Sequence, residues 1–463
     1  MKLAPLIAAL ILAGCATVPD IDASKVPEAP VKYKEEGQAW TVAPPAAAST
    51  RGEWWKAFND PRLEALIVRA DRDNASIQVA AARLAQARAL ARSTDAARWP
   101  QLGVGGTVAR MDGFANGSTG PVRNFGAVGA NLGYEVDLFG KLARASDAAS
   151  LDARSREALL QSTRLLVQAE VAQTYLALRA LDEERALVRS TVTAYRETLD
   201  LTDRRFRAGD VAELDVVRAR TEVAVTESDA LAIDRRRAEL EHALAVLVGE
   251  AASSFDMPVE PWNTALPVIP AGVPSTLLTR RPDVSAAQLS MLAAQQRVGV
   301  AKAAWFPDLA LTANGGYASS ELGDIFKWSS RAWGVGAIFA LPIFDGGRRA
   351  AGVDNSNAQL DEALAHYREQ VLVAFRDVED QLAQLRILAD QAQAQGRAVA
   401  SASRATSLAD VRYRNGLVSQ LELLDARRSE LLNRRQALQV RAAQYQATVG
   451  LVRALGGAWG NNT

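Results

Sequence analysis

Side chains that commonly carry chemistry are scarce in this chain. There is one cysteine, Cys15, and there are two histidines, His242 and His366. A lone thiol cannot form a disulfide within the chain, and two isolated imidazoles cannot build a histidine-rich metal cage. No Gly-x-x-x-x-Gly-Lys-Ser/Thr loop, His-Glu-x-x-His pair or Gly-x-Ser-x-Gly elbow occurs. The residues name no nucleophile, no metal site and no cofactor, so the reading is that the protein is not an enzyme. Lys plus Arg and Asp plus Glu each number 53, giving zero net charge. That balance lacks the basic excess or stripe that nucleic acid requires.

The setting of Cys15 gives the thiol a different chemistry. Met1-Lys2 is followed by an almost wholly apolar run from Leu3 to Leu12, then by Leu12-Ala13-Gly14-Cys15. The run is too short to span a bilayer and has the proportions of an export signal, residues 1–14. The tetrapeptide resembles the bacterial lipobox, in which cleavage before cysteine precedes acylation of the thiol. Ala16 stands after it, where aspartate would direct retention elsewhere, so the resemblance implies sorting to the outer membrane. No later apolar run reaches about 18 residues, so any crossing of the membrane must use a closed barrel.

Beyond a Pro- and Ala-rich tether over 15–60, the chain is an internal duplication. Arg205-Phe206-Arg207-Ala208-Gly209-Asp210-Val211 matches Arg412-Tyr413-Arg414-Asn415-Gly416-Leu417-Val418. The same offset pairs Trp99-Pro100 with Phe306-Pro307, Val171 with Val378, and Arg220 with Arg427. The repeats are assigned to 61–249 and 276–456, with a Pro-containing joint over 250–275 and a tail over 457–463.

Each repeat reads helix, strand, strand, long helix, turn, long helix. Strands are expected at about 101–111, 124–138, 308–318 and 331–343. In the second, Val128, Ala130, Leu132, Tyr134, Val136 and Leu138 share one face, while Asn131, Glu135 and Asp137 share the other. Strands of about ten residues suit a tilted membrane barrel, and carboxylates suit a lumen better than a packed core. Four strands cannot close a useful barrel. Either several chains share one barrel, or the strands form none.

A helix expected over about 141–208 contains no proline, and at 1.5 Å per residue reaches about 100 Å. After the turns, apolar residues recur at four-three spacing. Leu417, Leu421, Leu424, Leu431, Leu438, Tyr445, Val449 and Val452 do so in one repeat, interrupted by Arg428, Arg435 and Ala442. Val216, Ala219, Val223, Ala230, Ile233, Leu240, Leu244 and Leu247 do so in the other, interrupted by Thr226 and Arg237. This is coiled-coil geometry.

Three segments with the two tip motifs resemble the outer-membrane efflux protein family, the TolC-like outer-membrane factors, and its lipoprotein branch in particular. They are Tyr134-Glu135-Val136-Asp137-Leu138-Phe139-Gly140-Lys141, Leu341-Pro342-Ile343-Phe344-Asp345-Gly346-Gly347-Arg348 and Leu278-Thr279-Arg280-Arg281-Pro282-Asp283-Val284. The resemblance implies a mostly α chain with a transmembrane β-barrel. A homotrimer would complete twelve strands, continued by a periplasmic coiled-coil tunnel. It implies that the turns at Gly209, Asp210, Val211 and at Gly416, Leu417, Val418 dock a periplasmic adaptor. It implies that Leu421, Glu422 and Asp425 line a constricted periplasmic gate. Val418 departs from members carrying a basic residue that ties the gate. No cofactor is implied. The partners implied are the adaptor, a resistance–nodulation–division transporter of the inner membrane, and outer-membrane lipid.

The function implied is the passive outer-membrane duct of a tripartite pump exporting drugs or other small toxic compounds. A type I secretion duct for proteins is the alternative with the same fold; a periplasmic scaffold without a pore is the alternative of another class. For the anchor, Cys15→Ser should abolish incorporation of radioactive palmitate and leave an uncut precursor. Labelling that persists in this variant would rule the anchor out.

Overall fold

The computed structural model describes Pro19, Pro30 and residues 32–35, 53–111, 123–269 and 280–457. Cys15 with the residues before it, most of the expected tether, the loop 112–122, Leu278-Thr279 and the tail after Gly457 lie outside the described residues. The chain divides into two compact units. The first contains 82–158 and 286–369; the second contains 28–81, 159–285 and 370–463.

The first unit is built on one antiparallel sheet in the order β1 (Gln101–Met111), β2 (Arg123–Val136), β3 (Asp308–Ser319), β4 (Arg331–Ala340). Leu102 pairs with Leu132, Leu132 with Ala313, and Ala313 with Val335, so these four share a face. With them stand Val104, Val128, Leu311, Trp333 and Phe339. On the edge strands these side chains are largely exposed, Val104 at 81% and Val335 at 76%. The opposite face carries Thr107, Asn131, Glu135, Thr312 and Asn314 among glycines. There the strands approach closely: a Cβ at Gly316 would stand 2.2 Å from the Val128 carbonyl oxygen and 2.5 Å from Gly129 Cα. One face is thus mainly apolar and solvent-exposed, and the other is lined mainly by small and polar groups, with Phe125 and Ile338 as its large apolar members.

The strand-to-helix joints explain two of the family-like segments. β2 ends at Val136, before the expected 138, because the next residue serves the helix instead. Alternation predicts Asp137 on the polar face of the sheet; its carboxylate instead accepts hydrogen bonds from Leu142 N at 3.1 Å and Ala143 N at 2.7 Å. It thereby satisfies amides left open at the start of α3 (Lys141–Arg207). Asp345 does the same for α6 (Arg348–Arg414), accepting from Gly347 N at 3.1 Å and Arg349 N at 3.2 Å. β4 likewise stops at Ala340, with Pro342 unable to donate to a ladder. Gly140, Gly346 and Gly347 all take positive φ here. Lys141 pairs with Glu135 at 2.9 Å and with Asp308 at 3.1 Å across the strand ends.

The second unit is helical. The single helix expected over 61–98 is two, α1 (Pro61–Asp73) and α2 (Ala75–Ala96). Asn74 divides them: its Oδ1 accepts from Ser76 N and Ile77 N, and its Nδ2 donates to the Leu247 carbonyl. The long helices recur with the repeat. α3 and α6 each have 67 residues; α4 (Glu213–Leu247) and α7 (Gln420–Ala454) each have 35. α5 (Pro282–Ala303) opens the second repeat.

Most seam residues of α4 are buried, including Val216, Ala219, Val223, Ala230, Ile233 and Leu244. The interrupting residues are held by partners: Arg237 by Asp182 and Glu241, Arg435 by Glu184 and Asp229. Around the helices at this level runs an extended segment, 250–269, fixed by its backbone. Arg179 donates to the Pro258 carbonyl at 2.8 Å and Glu241 accepts from Met257 N at 2.6 Å. The Trp262 and Tyr445 rings lie 4.7 Å apart. Trp54, Trp55 and Phe58 are buried, and so is Tyr33, beside which Lys34 N and Glu35 N donate to the Glu379 carboxylate.

The sheet depends on the absence of a side chain at Gly316. Gly316→Val should prevent normal pairing of β2 with β3 and sharply reduce the yield of folded, heat-resistant protein in membranes. Wild-type yield and thermal stability would contradict this packing.

Candidate functional site

The two helix-hairpin turns and the first two helical turns of α7 hold every residue assigned to the gate or the docking tip, and all lie in the second unit. Each turn is built the same way. Gly209 has φ +84°; its N–H donates to the Phe206 carbonyl at 2.9 Å, and Asp210 N donates to the Arg205 carbonyl at 2.9 Å. Gly416 has φ +70°; its N–H donates to the Tyr413 carbonyl at 3.0 Å, and Leu417 N donates to the Arg412 carbonyl at 2.9 Å. These paired bonds close the helix C-termini, and positive φ is costly for any side chain bearing a branched Cβ. Nothing lies within 4 Å of either glycine's Cβ direction, so both turns are open to solvent.

The other tip residues differ in exposure. Asp210 and Leu417 are exposed and Val211 is half-buried. Val418 packs against Ala409, Tyr413 and Leu423. Ser419 caps α7, its Oγ accepting from Glu422 N at 3.4 Å. Leu417 and Leu421 were counted as the first members of the apolar seam. Leu417 precedes the helix, which begins at Gln420, and both leucines are exposed.

Leu421, Glu422 and Asp425 are exposed together along the start of α7. Glu422 faces Arg412 at 3.4 Å. Asp425 pairs with Arg428 at 3.2 Å, and Arg428 also binds Glu222 on α4. The hydrogen bond that it donates to the Glu222 carboxylate raises the proton affinity of the Arg428 guanidinium above its ordinary value. Both acids therefore have a cation within reach in their own chain.

Behind these groups lies a buried polar knot. The Thr202 hydroxyl donates to the Thr198 carbonyl at 2.8 Å. It accepts from Gln420 Nε2 at 3.0 Å, and the Tyr413 hydroxyl lies 3.3 Å away. Arg205 stacks over the Tyr413 ring, 4.8 Å from its centroid. Arg427 donates to the Ala194 carbonyl, Thr198 Oγ1 and Asp410. Tyr195, Val223 and Leu424 form an apolar cluster beside them. Of this knot the sequence marked Arg427, as the repeat partner of Arg220, and Arg205 and Tyr413, in the matched turn motifs; Thr202 and Gln420 carried no signal, because they meet from helices more than 200 residues apart.

His242 and His366 stand exposed on helices. Among the described residues no cluster of His, Cys, Asp or Glu is arranged to hold a metal ion, and no helix is long and apolar enough to cross a membrane.

Known proteins resemble this chain along nearly its whole length. The profile of the family described as "Outer membrane efflux protein" matches residues 66–250 and again 273–457, one match for each repeat. "Antibiotic efflux pump outer membrane protein ArpC" of Pseudomonas putida is 34% identical over 465 residues, covering 99% of this chain and 95% of the relative. "Cation efflux system protein CusC" of Escherichia coli K12 is 30% identical over 457 residues, covering 98% of this chain and 99% of the relative. The solved structure of the outer-membrane channel OprN aligns with a TM-score of 0.87 at 29% identity, over 96% of this chain and all of that one.

The knot carries its own test. Thr202→Val keeps the shape but removes the acceptor of two buried donors, which should cost about 1–3 kcal/mol locally. Amide exchange near 198–206 and 413–424 should accelerate, while exchange in the sheet stays as in the wild type. Unchanged exchange at the tip would mean that the knot does not hold it.

Proposed function

This chain belongs to the outer membrane efflux protein family, and we propose that three copies of it form the passive exit duct of a tripartite pump. It is an outer-membrane efflux channel; the trimer, its gate and its partners are the finer reading. The observation that carries this reading is the sheet. Four strands with one apolar, exposed face and one small, polar face leave β1 and β4 with an unpaired edge each. Twelve strands from three chains would close the edges, turn the apolar face to lipid and the polar face to a lumen.

The long hairpins would then reach into the periplasm. The exposed turns at Gly209-Asp210-Val211 and Gly416-Leu417-Val418 would meet a periplasmic adaptor, itself bound to a resistance–nodulation–division transporter that supplies the energy. Leu421, Glu422 and Asp425 from three chains would surround the entrance. Leucines there would exclude water, and carboxylates would favour cations. The duct would carry small toxic compounds chosen by the inner-membrane partner, since antibiotics and cations name the pumps of relatives with so similar a chain. Cys15 would carry the lipid that adds a second hold on the outer membrane.

Purified protein in detergent should be trimeric and should give narrow channels in planar bilayers. Leu421→Ala should raise conductance several-fold. Asp425→Ala should weaken cation selectivity and block by multivalent cations. The double variant should sensitise cells to large antibiotics such as vancomycin. A monodisperse monomer with pore activity would sink the trimer; conductance, selectivity and sensitivity all at wild-type values would sink the gate.

A further inference from the structure

The connection from β3 to β4 does not stand clear of the sheet. It folds back over the apolar face. Gly126 lies on that face in register with Val108 and Ser319. A Cβ there would sit 2.9 Å from Leu322 Cδ2 and 3.1 Å from Ile325 Cδ1. Tyr317, on the same face, meets the Phe326 ring edge-on at 6.1 Å. Two short turns, Leu322–Asp324 and Trp328–Ser330, fix the segment. Ser330 Oγ donates to the Asp324 carbonyl at 2.8 Å, and Lys327 pairs with the Asp324 carboxylate at 2.7 Å.

This packing presents two aromatic rings outward. Phe326 is 75% exposed and Trp328 is 73% exposed. Arg331, the first residue of β4, pairs with Tyr317 in register and so shares its face. Its guanidinium lies 4.3 Å over the Trp328 ring. No carboxylate pairs with it among the described residues, and the nearby Asp324 is engaged by Lys327. Two residues on along the same face stands Trp333, then Val335, both about three-quarters exposed. A cation stacked on an exposed indole thus heads an apolar track at the end of the sheet away from the helix joints.

We propose that Arg331 and Trp328 form a binding site for the phosphate of a membrane lipid in the leaflet at the loop end, with an acyl chain lying along Trp333 and Val335. The chemistry of each part fits. Indole rings favour the membrane–water boundary, where one side is apolar and the other wet. A planar guanidinium recognises phosphate with two parallel hydrogen bonds. The ring beneath it fixes the fork and shields it from water. The inference rests on the barrel reading, because only in a membrane does this face meet lipid.

The test uses the assembled protein in mixed micelles of detergent with phosphatidylglycerol or phosphatidylcholine of identical acyl chains. Retained lipid is counted by native mass spectrometry. The wild type should retain phosphatidylglycerol in preference. Arg331→Gln should lower that preference about fivefold, the effect of one arginine at an anionic surface. Trp328→Ala should lower retention of both lipids, and inorganic phosphate should displace neither. Oligomeric state and conductance, read on the same samples, report the barrel separately. If Arg331→Gln does not assemble, Arg331→Lys keeps the charge without the fork and should retain a weakened preference. Equal preference in wild type and the assembled arginine variant overturns the proposal. So does displacement by inorganic phosphate, which would make this a site for a free anion.

Discussion

A β-strand in hydrocarbon has no water to bond its backbone, so every N–H and C=O must find a partner in protein. The sheet of this chain meets that demand within itself at three interfaces, β1 with β2, β2 with β3 and β3 with β4. It leaves the outer edges of β1 and β4 open. An open edge in a membrane is untenable, and an open edge in water invites aggregation. The exposed apolar face adds a second demand, since leucine, valine and tryptophan side chains left in water forfeit their burial. Closure with further copies in a membrane answers both. The rest of the architecture follows from this: a chain that supplies a fraction of a barrel has to present matched strands and matched helices.

The joints show how that matching is achieved. α3 and α6 start within a few residues of β2 and β4, and each is preceded by an aspartate that accepts hydrogen bonds from amides at its start. Asp345 is also gripped by Arg349, which stacks over Trp305. Arg349 and its hydrogen bonds, first among them the one from its side chain, hold the Asp345 carboxyl below the usual carboxylate range. Phe139 stacks on Phe306 at 4.7 Å across the same region. The abrupt change from strand to helix is therefore held by caps and ring contacts within a few residues, and the small residues of the polar face let the strands draw close beside it.

Features that repeat at short range were legible in the sequence. Alternation located the strands, proline and glycine bounded the elements, and the duplication anticipated the same order of elements in each half. Features that depend on one side chain choosing between neighbours were not. Asp137 alternates correctly for a lumen-facing acid, yet two free helix amides, of Leu142 and Ala143, lie within its reach and win the carboxylate. Asn74 interrupts no apolar pattern, yet its amide bonds Leu247, far along the chain, and splits the first helix. The spacing of Leu417 and Leu421 fits a seam, but the glycine turn before them delays the helix and leaves them outside the packed part. The buried knot of Thr202, Tyr413 and Gln420 has no local signature at Thr202 or Gln420, because its members meet only after both hairpins have formed.

The polar interruptions of the coiled-coil seam differ along its length, and the difference bears on how an entrance can open. Near the extended segment 250–269 the seam is clamped: Arg179 and Asp182 are both about 1% exposed, and Arg237 joins Asp182 to Glu241 and the Met257 carbonyl. Removing one partner from such a buried pair costs about 3–5 kcal/mol. At the turns the pairs are exposed, as with Arg412–Glu422 and Asp425–Arg428, and each is worth about 0–1 kcal/mol. The buried knot around Thr202 and the apolar clusters beside it are what resist separation there among the described residues. The same helices are thus held firmly at one level and loosely at their ends. On the proposed docking of a partner at the turns, a differential affinity of a few kcal/mol would shift the ends between two arrangements, and the clamp would confine that movement to the tips.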